Sequence, residues 1–216
     1  MESLQPTKSL VQKTYEALLN EICTGALEPG MRLAQDDLAE QLDVSRQPVN
    51  GAIAMLKSQG FVIETGRRGV IVAPIEDGHF EAIYQFRSAV EPLAVELATP
   101  RMTKESIVRG RKIISRGKNF VQTGNAPAVL QADMDFHALI HQLSGNAIIV
   151  ETMHLNWRHL QRSMSKVLQF PGMSIHVWKE HQKIFEAMIS GNAGEATVLM
   201  RTHIMHAPKR ISGQSD

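Results

Sequence analysis

The 216-residue chain is rich in Leu, Ile, Val, Ala and Met and has 5% aromatics, which suits two ordinary domains, each with its own core, and helices more than sheets. A single cysteine, Cys23, excludes an internal disulfide and a cysteine-based zinc site, and is expected as a buried small hydrophobe. No apolar run reaches bilayer-spanning length and Met1-Glu2-Ser3-Leu4 lacks a basic or apolar leader, so a cytoplasmic protein without membrane association is expected.

The net charge of +1 hides an asymmetry: residues 1–44 carry three basic against eight acidic side chains, residues 45–74 four against one. The excess positive charge lies on the second stretch, where a nucleic-acid footprint is sought. In chain order, Leu10 to Thr24 reads as a helix with Val11, Tyr15, Leu18, Leu19 and Ile22 on one stripe, stopped by Gly25 and the Pro29-Gly30 turn. Gln35 to Leu42 is a short amphipathic helix joined through Asp43-Val44 to a second helix that Ser45 caps, with Pro48 in its first turn. Ala52, Ile53, Leu56 and Phe61 face a core, while Arg46, Gln47, Asn50 and Lys57 are left for another face. Phe61–Glu64 and Val70–Ala73 are β-rich runs around Thr65-Gly66-Arg67-Arg68-Gly69, a hairpin with arginines at its tip. The pattern is a winged helix-turn-helix, residues 1–74.

Residues 75–216 show helical periodicity throughout: Asp77–Ala98, Thr103 as a cap to about Thr123, Ala126 or Pro127 to Leu143, a long helix from after Asn146 to about Gln169, Ser174–Ile189, and Ala193 to about His206. The expected architecture is mainly α, the winged unit being followed by an all-α bundle of about six helices.

Leu27-Glu28-Pro29-Gly30-Met31-Arg32-Leu33, Leu38-Ala39-Glu40-Gln41-Leu42, Val44-Ser45-Arg46 with Pro48-Val49, and Gly60-Phe61-Val62 together resemble the DNA-binding domain of GntR-family transcription regulators. Arg87-Ser88-Ala89-Val90-Glu91-Pro92-Leu93-Ala94, Asp133-Met134-Asp135-Phe136-His137, Ser144-Gly145-Asn146, Glu180-His181-Gln182-Lys183-Ile184 and Gly191-Asn192-Ala193-Gly194-Glu195-Ala196 before His203 resemble the helical, FCD-type effector domain of the FadR-like branch. The resemblance covers residues 10–206 and implies a transcription regulator, a repressor rather than an enzyme, working as a homodimer on a pseudo-palindromic double-stranded DNA operator. The DNA-facing residues it implies are Arg32, Ser45, Arg46, Gln47, Asn50, Arg67, Arg68 and Gly69. For Arg67 and Arg68 the competing reading is a solvated hairpin tip. Where the family usually has threonine and arginine this chain has Gln47 and Asn50, side chains that suit adenine, so altered operator preference is expected.

Eight of the nine histidines follow residue 136. Asp133 and His137, at i and i+4, project from one helix face, and a bundle can bring His181 and His203 to the same interior. Spacing alone leaves these as ordinary helix residues; the resemblance implies that the four hold a divalent ion, and one carboxylate with three imidazoles suits Zn, Ni, Mn or Fe. It also implies a small carboxylate effector meeting Arg87, for which the alternative is an ion pair with Glu91 or Glu151. His141 reads as a pocket-wall residue, His154, His159, His176 and His206 as surface or helix-end residues, and Met134, Met153, Met164, Met188 and Met200 as core filler. The competing functions are a metal-dependent hydrolase or lyase using the Asp/His set, for which no His-Glu-x-x-His is present, and a regulator whose pocket takes its effector without metal.

Overall fold

The computed structural model describes residues 8–66, 69–75, 78–167 and 175–211, with side chains described except at 163–167 and 207–211. Two compact units, Met1–Glu76 and Asp77–Asp216, make up the chain.

In the first unit, α1 (Leu10–Thr24) starts where the Ser9 hydroxyl accepts from the Gln12 N–H and ends at Gly25, whose φ of 86° only glycine adopts easily. Its buried Leu18, Leu19 and Ile22 pack in the core with Val49, Leu56 and Phe61, and Cys23 is buried as expected. α2 (Gln35–Gln41) and α3 (Arg46–Ser58) are joined by a turn in which Asp43 takes φ 50°, a left-handed conformation aspartate tolerates better than most residues. Gly51 on α3 is needed for close approach, since a Cβ there would lie 2.8 Å from a Val11 methyl. β1 (Val62–Thr65) and β2 (Gly69–Val72) pair antiparallel, Val62 opposite Val72 and Thr65 opposite Gly69.

The segment before α2 adds a feature that sequence reading did not anticipate. Arg32 bridges to Ile71, with Leu33 N–H donating to the Val70 carbonyl and Val72 N–H to the Met31 carbonyl, both 2.9 Å. These bonds occupy the outer edge of β2, which a lone hairpin would leave open.

The second unit comprises α4 (His79–Ala98), a 3-10 turn Thr99–Arg101, α5 (Lys104–Gln122), α6 (Ala126–Leu143), α7 (Ala147–Val167), α8 (Ile175–Ile189) and α9 (Ala193–Ile211). Mainly α architecture is therefore observed, and among the described residues the one small sheet is that of the wing. Thr103 and Ser106 form a reciprocal capping box at the start of α5 and Asn125 caps α6 through the Ala128 N–H. Pro92 lies inside α4 and has no N–H for the Ser88 carbonyl; Arg201 of α9 donates to that oxygen at 3.1 Å instead. On α5, Gly110 and Gly117 face the Phe185 and Trp178 rings of α8 so closely that a Cβ would lie 2.0 and 2.1 Å from them. The core gathers Phe136, Met153, Trp178, Phe185, Ile184 and Met200, so the methionines described there are filler, as expected; Met164 lies outside the residues with described side chains.

Differences from expectation are at ends. α9 continues past His206 to Ile211, and the strands begin and end a residue from the expected limits. The expected start of α4 at Asp77, the end of α7 near Gln169 and the Phe170-Pro171-Gly172 stop lie outside the described residues. Among the described residues no helix is long and apolar enough to cross a membrane.

Candidate DNA interface and metal centre

α3 buries Val49, Ala52, Ile53 and Leu56 and leaves Arg46, Gln47, Asn50 and Lys57 exposed, the division between packing and reading faces that the periodicity predicts. Ser45 is at the N-cap, but its side chain makes no capping bond, and the expectation that it caps α3 is corrected. Arg46 is engaged: its Nε and Nη2 both donate to the Asp36 carboxylate of α2, which holds the Asp36 carboxyl below its usual value. Lys57 pairs with Glu64 at 2.8 Å. Arg32 is exposed beside β2, and Gly69 opens β2 at φ 69°. Arg67 and Arg68 lie outside the described residues.

In the helical unit, α6, α8 and α9 bring together His137, His181 and His203, one ring nitrogen of each lying within 4.8 Å of the others. The His181 and His203 Nε2 atoms are 3.1 Å apart, and Asp133 Oδ1 is 3.4 Å from His181 Nε2. Two ligand atoms each about 2.1 Å from one ion are about 3.0 Å apart at octahedral angles and about 3.4 Å apart at tetrahedral ones, so both separations suit a shared ion.

The outer contacts orient the rings. His203 Nδ1 is bonded to Glu180 at 2.8 Å and His137 Nδ1 to Glu91. A proton on each Nδ1 leaves Nε2 as the lone-pair atom facing the centre. His181 Nδ1 is buried with no hydrogen-bond partner among the described residues, while the His181 ring stacks on Phe136 at 4.3 Å and meets Trp178 edge-on at 4.9 Å. Burial holds His137 below the usual imidazole value, and burial with His203 and His137 holds His181 well below it. Burial thus favours the neutral imidazole at both positions, and that is the form that ligates metal.

Arg87 has found Glu91, one of the two acids proposed for it: Nε donates to Oε1 at 2.5 Å, with both side chains buried. Glu151 is exposed on α7. The guanidinium also lies 4.2 Å from the Trp157 ring and 4.9 Å from the Tyr84 ring, and its Nη2 is 3.5 Å from His137 Nε2. Burial opposes the Glu91 charge, but Arg87 and then His137 outweigh it and hold the carboxyl well below the usual range. Burial pushes the Tyr84 hydroxyl up to about 12.

Beside this cluster, residues of α6 and α7 line a cavity of about 230 Å³ that includes Met134, His141, His154, Trp157 and Arg158. His141 thus is a pocket-wall residue; its Nε2 is 3.7 Å from Glu91 Oε2, beyond hydrogen-bond reach. The buried Trp157 Nε1, also on the wall, has no hydrogen-bond partner among the described residues.

The chain matches the bacterial regulatory protein gntR family over residues 10–72 and the FCD domain over residues 82–206. It belongs to the GntR family. The Uxu operon regulator of Haemophilus influenzae is 25% identical, spanning 97% of this chain and 86% of that protein. The Nta operon transcriptional regulator of Aminobacter aminovorans is 30% identical over 66% of this chain and 63% of its own length. Of solved structures, Escherichia coli McbR/YncC is similar with a TM-score of 0.84 at 19% identity, covering 97% of this chain and 100% of that one. A GntR regulator from Rhodococcus sp. RHA1 gives 0.80 at 23%, covering 95% and 99%. This GntR chain is accordingly a DNA-binding transcription regulator. Sequence reasoning overlooked Asp36 and the orienting role of Glu180, whose contacts exist only once helices close. Glu91, four residues after Arg87, was visible as its partner but not as the carboxylate that orients His137.

Proposed function

We propose that this GntR regulator is a repressor, a homodimer on a pseudo-palindromic double-stranded operator, controlled by a small carboxylate bound in the FCD domain at a divalent ion held by Asp133, His137, His181 and His203. The observation that carries the reading is the convergence of three buried imidazoles, two of them oriented from behind by carboxylates. Once bound, an ion of this kind supplies a Lewis-acidic anchor for a carboxylate oxygen. Arg87 supplies positive charge and His141 hydrogen-bonding capacity nearby, and Trp157 Nε1 offers a donor on the cavity wall. Arg46, Gln47 and Asn50 contact base edges, with Arg32, Ser45 and Gly69 on the backbone and Arg67 and Arg68 on phosphate or in the minor groove. An effector that binds two arrangements of the dimer unequally changes operator affinity by that difference.

A regulator that takes its effector without metal is the second reading, supported by the cavity and by the polar His141 and Trp157 side chains on its wall. Against a hydrolase or lyase stands the engagement of Glu91 by Arg87 and His137 and of Glu180 by His203, which leaves neither as a ready general base. The experiment is metal analysis of the untagged full chain and of His181→Ala, each checked for fold by circular dichroism. About one ion per chain, lost in the variant, is expected. Absence of metal after incubation with Zn, Ni and Mn salts overturns the metal reading and leaves the second.

A further inference from the structure

We propose that Asp36 is a specificity-determining residue: by forking the Arg46 guanidinium from one side it turns that arginine into a reader of guanine and keeps it off the phosphate backbone. The inference rests on the reading of the first turn of α3 as the end that enters the groove.

The two Asp36 oxygens accept from Nε and Nη2 of Arg46, yet the pair is exposed, with 65% of the arginine side chain and 63% of the aspartate accessible. A guanidinium has five N–H donors. The fork uses the Nε–Nη2 edge, so the Nη1–Nη2 edge keeps a parallel pair of donors. That edge has the spacing of guanine O6 and N7 in the major groove. An unforked arginine samples many rotamers and can settle on any nearby phosphate; one held by a carboxylate presents a fixed edge.

Charge adds a second selection. The Arg46–Asp36 pair is neutral as a unit, so docking it against the backbone releases no net counterion, and Asp36 itself repels phosphate. Sequence-independent attraction is removed at this position while the directional donors remain.

Asp36 has a simpler alternative role. It and Asp37 are the acids in the first turn of α2, a helix with no side-chain cap, where either would favour the helix dipole. Asp37 therefore provides the control, because the observed fork to Arg46 comes from Asp36 alone.

The test uses the full chain with a double-stranded DNA library of randomised core. Selection gives a preferred duplex, and competition with every single-base change in it gives a preference at each position. Wild type, Asp36→Asn, Asp37→Asn and Arg46→Ala are compared, together with salt titrations on an unrelated duplex of equal length. Arg46→Ala should abolish a guanine preference of about tenfold or more at one position per half-site. Asp36→Asn should weaken the preference at that same position at least threefold. It should also bind the unrelated duplex more tightly, with a log–log salt slope steeper by about 0.9; Asp37→Asn should do neither.

If Arg46→Ala flattens a position that Asp36→Asn leaves as sharp as wild type, the proposal is overturned and Arg46 stands as an independent reader. Equal loss of the preference in Asp37→Asn assigns the effect to the helix dipole and overturns it as well. If Arg46→Ala leaves every position intact, the orientation of α3 on which the proposal rests is itself wrong.

Discussion

Replacing Gly117 by alanine puts a methyl group where the indole of Trp178 already lies. The new Cβ would be 2.1, 2.2 and 2.4 Å from three atoms of its six-membered ring. Carbon atoms rest about 3.5–4.0 Å apart, so the ring or the helix has to yield by more than about 1 Å. In an exposed helix the same change stabilises by up to about 1 kcal/mol, whereas overpacking a filled core costs about 1–3 kcal/mol. The displacement required here is large, and a net loss of about 1–2 kcal/mol follows from the upper part of that range. Trp178 also meets the His181 ring edge-on at 4.9 Å, so the displaced indole presses on a candidate ligand and zinc affinity should fall about 10-fold.

Urea denaturation of the chelated chain reads the first effect, and competition with a chromophoric zinc chelator reads the second. Gly194→Ala is the control: on α9 its nearest neighbour would be Asn192 Oδ1 at 3.9 Å, so that variant should be neutral or stabilised by up to about 1 kcal/mol. Adding Trp178→Phe to Gly117→Ala removes the ring atoms in conflict and should show a coupling of about 1 kcal/mol or more. A Gly117→Ala protein with the wild-type urea midpoint would refute the close α5–α8 packing.

Glu91→Ala leaves the buried Arg87 charge without its acid and should destabilise the chelated chain by about 3–5 kcal/mol; a loss under about 1 kcal/mol would mean that solvent reaches the pair. Arg201→Ala should cost about 0.5–1 kcal/mol, the net worth of its bond to the Ser88 carbonyl at the surface, and nearly nothing in a Pro92→Ala background where a backbone N–H is restored; equal losses in both backgrounds would show that Arg201 acts otherwise. Asn50→Arg, at an exposed site, should leave stability within about 0.5 kcal/mol, while making the salt slope of operator binding steeper by about 0.9. An unchanged slope in a gel-shift titration would remove residue 50 from the interface.

The helices were legible because each carries an apolar stripe and visible punctuation: Gly25 closes α1, Thr103 opens α5, Asn125 opens α6. The winged unit was legible for the same reason, apart from the bridge of Arg32 to Ile71, which joins segments too short to show a strand period. The candidate metal ligands lay in recognisable motifs, and the three histidine rings converge, but periodicity could not have closed them because residues 137, 181 and 203 meet only through tertiary packing. Gly110 and Gly117 look in sequence like defects in α5. The aromatic rings of α8 explain them, and no local rule names those rings. The Ser45 cap failed in its hydrogen bond although the helix starts where expected, since a side-chain rotamer is not encoded by the residue type alone.

Arg87, Glu91, His137, His141, His181 and His203 form a cluster of ionisable side chains, each at most 5% exposed, inside the helical unit. Replacing a buried ion pair by well-packed apolar residues is often neutral or stabilising by about 1–4 kcal/mol, so folding alone gives no reason to place such a cluster there. Binding gives one. An ion held by residues of α6, α8 and α9 exists only in the folded unit, and at about 100 times its dissociation constant it would add about 2.7 kcal/mol to stability. His137, the histidine of that trio bonded to α4 through Glu91, would then report the state of the centre to the helix that also carries Arg87. Since α4 is the first helix after the wing in chain order, a ligand that moved the His137 ring would act on the element joined to the DNA-binding unit. Slower amide exchange along α4 on adding zinc is the expected sign of that route, and protection confined to α8 and α9 would break it.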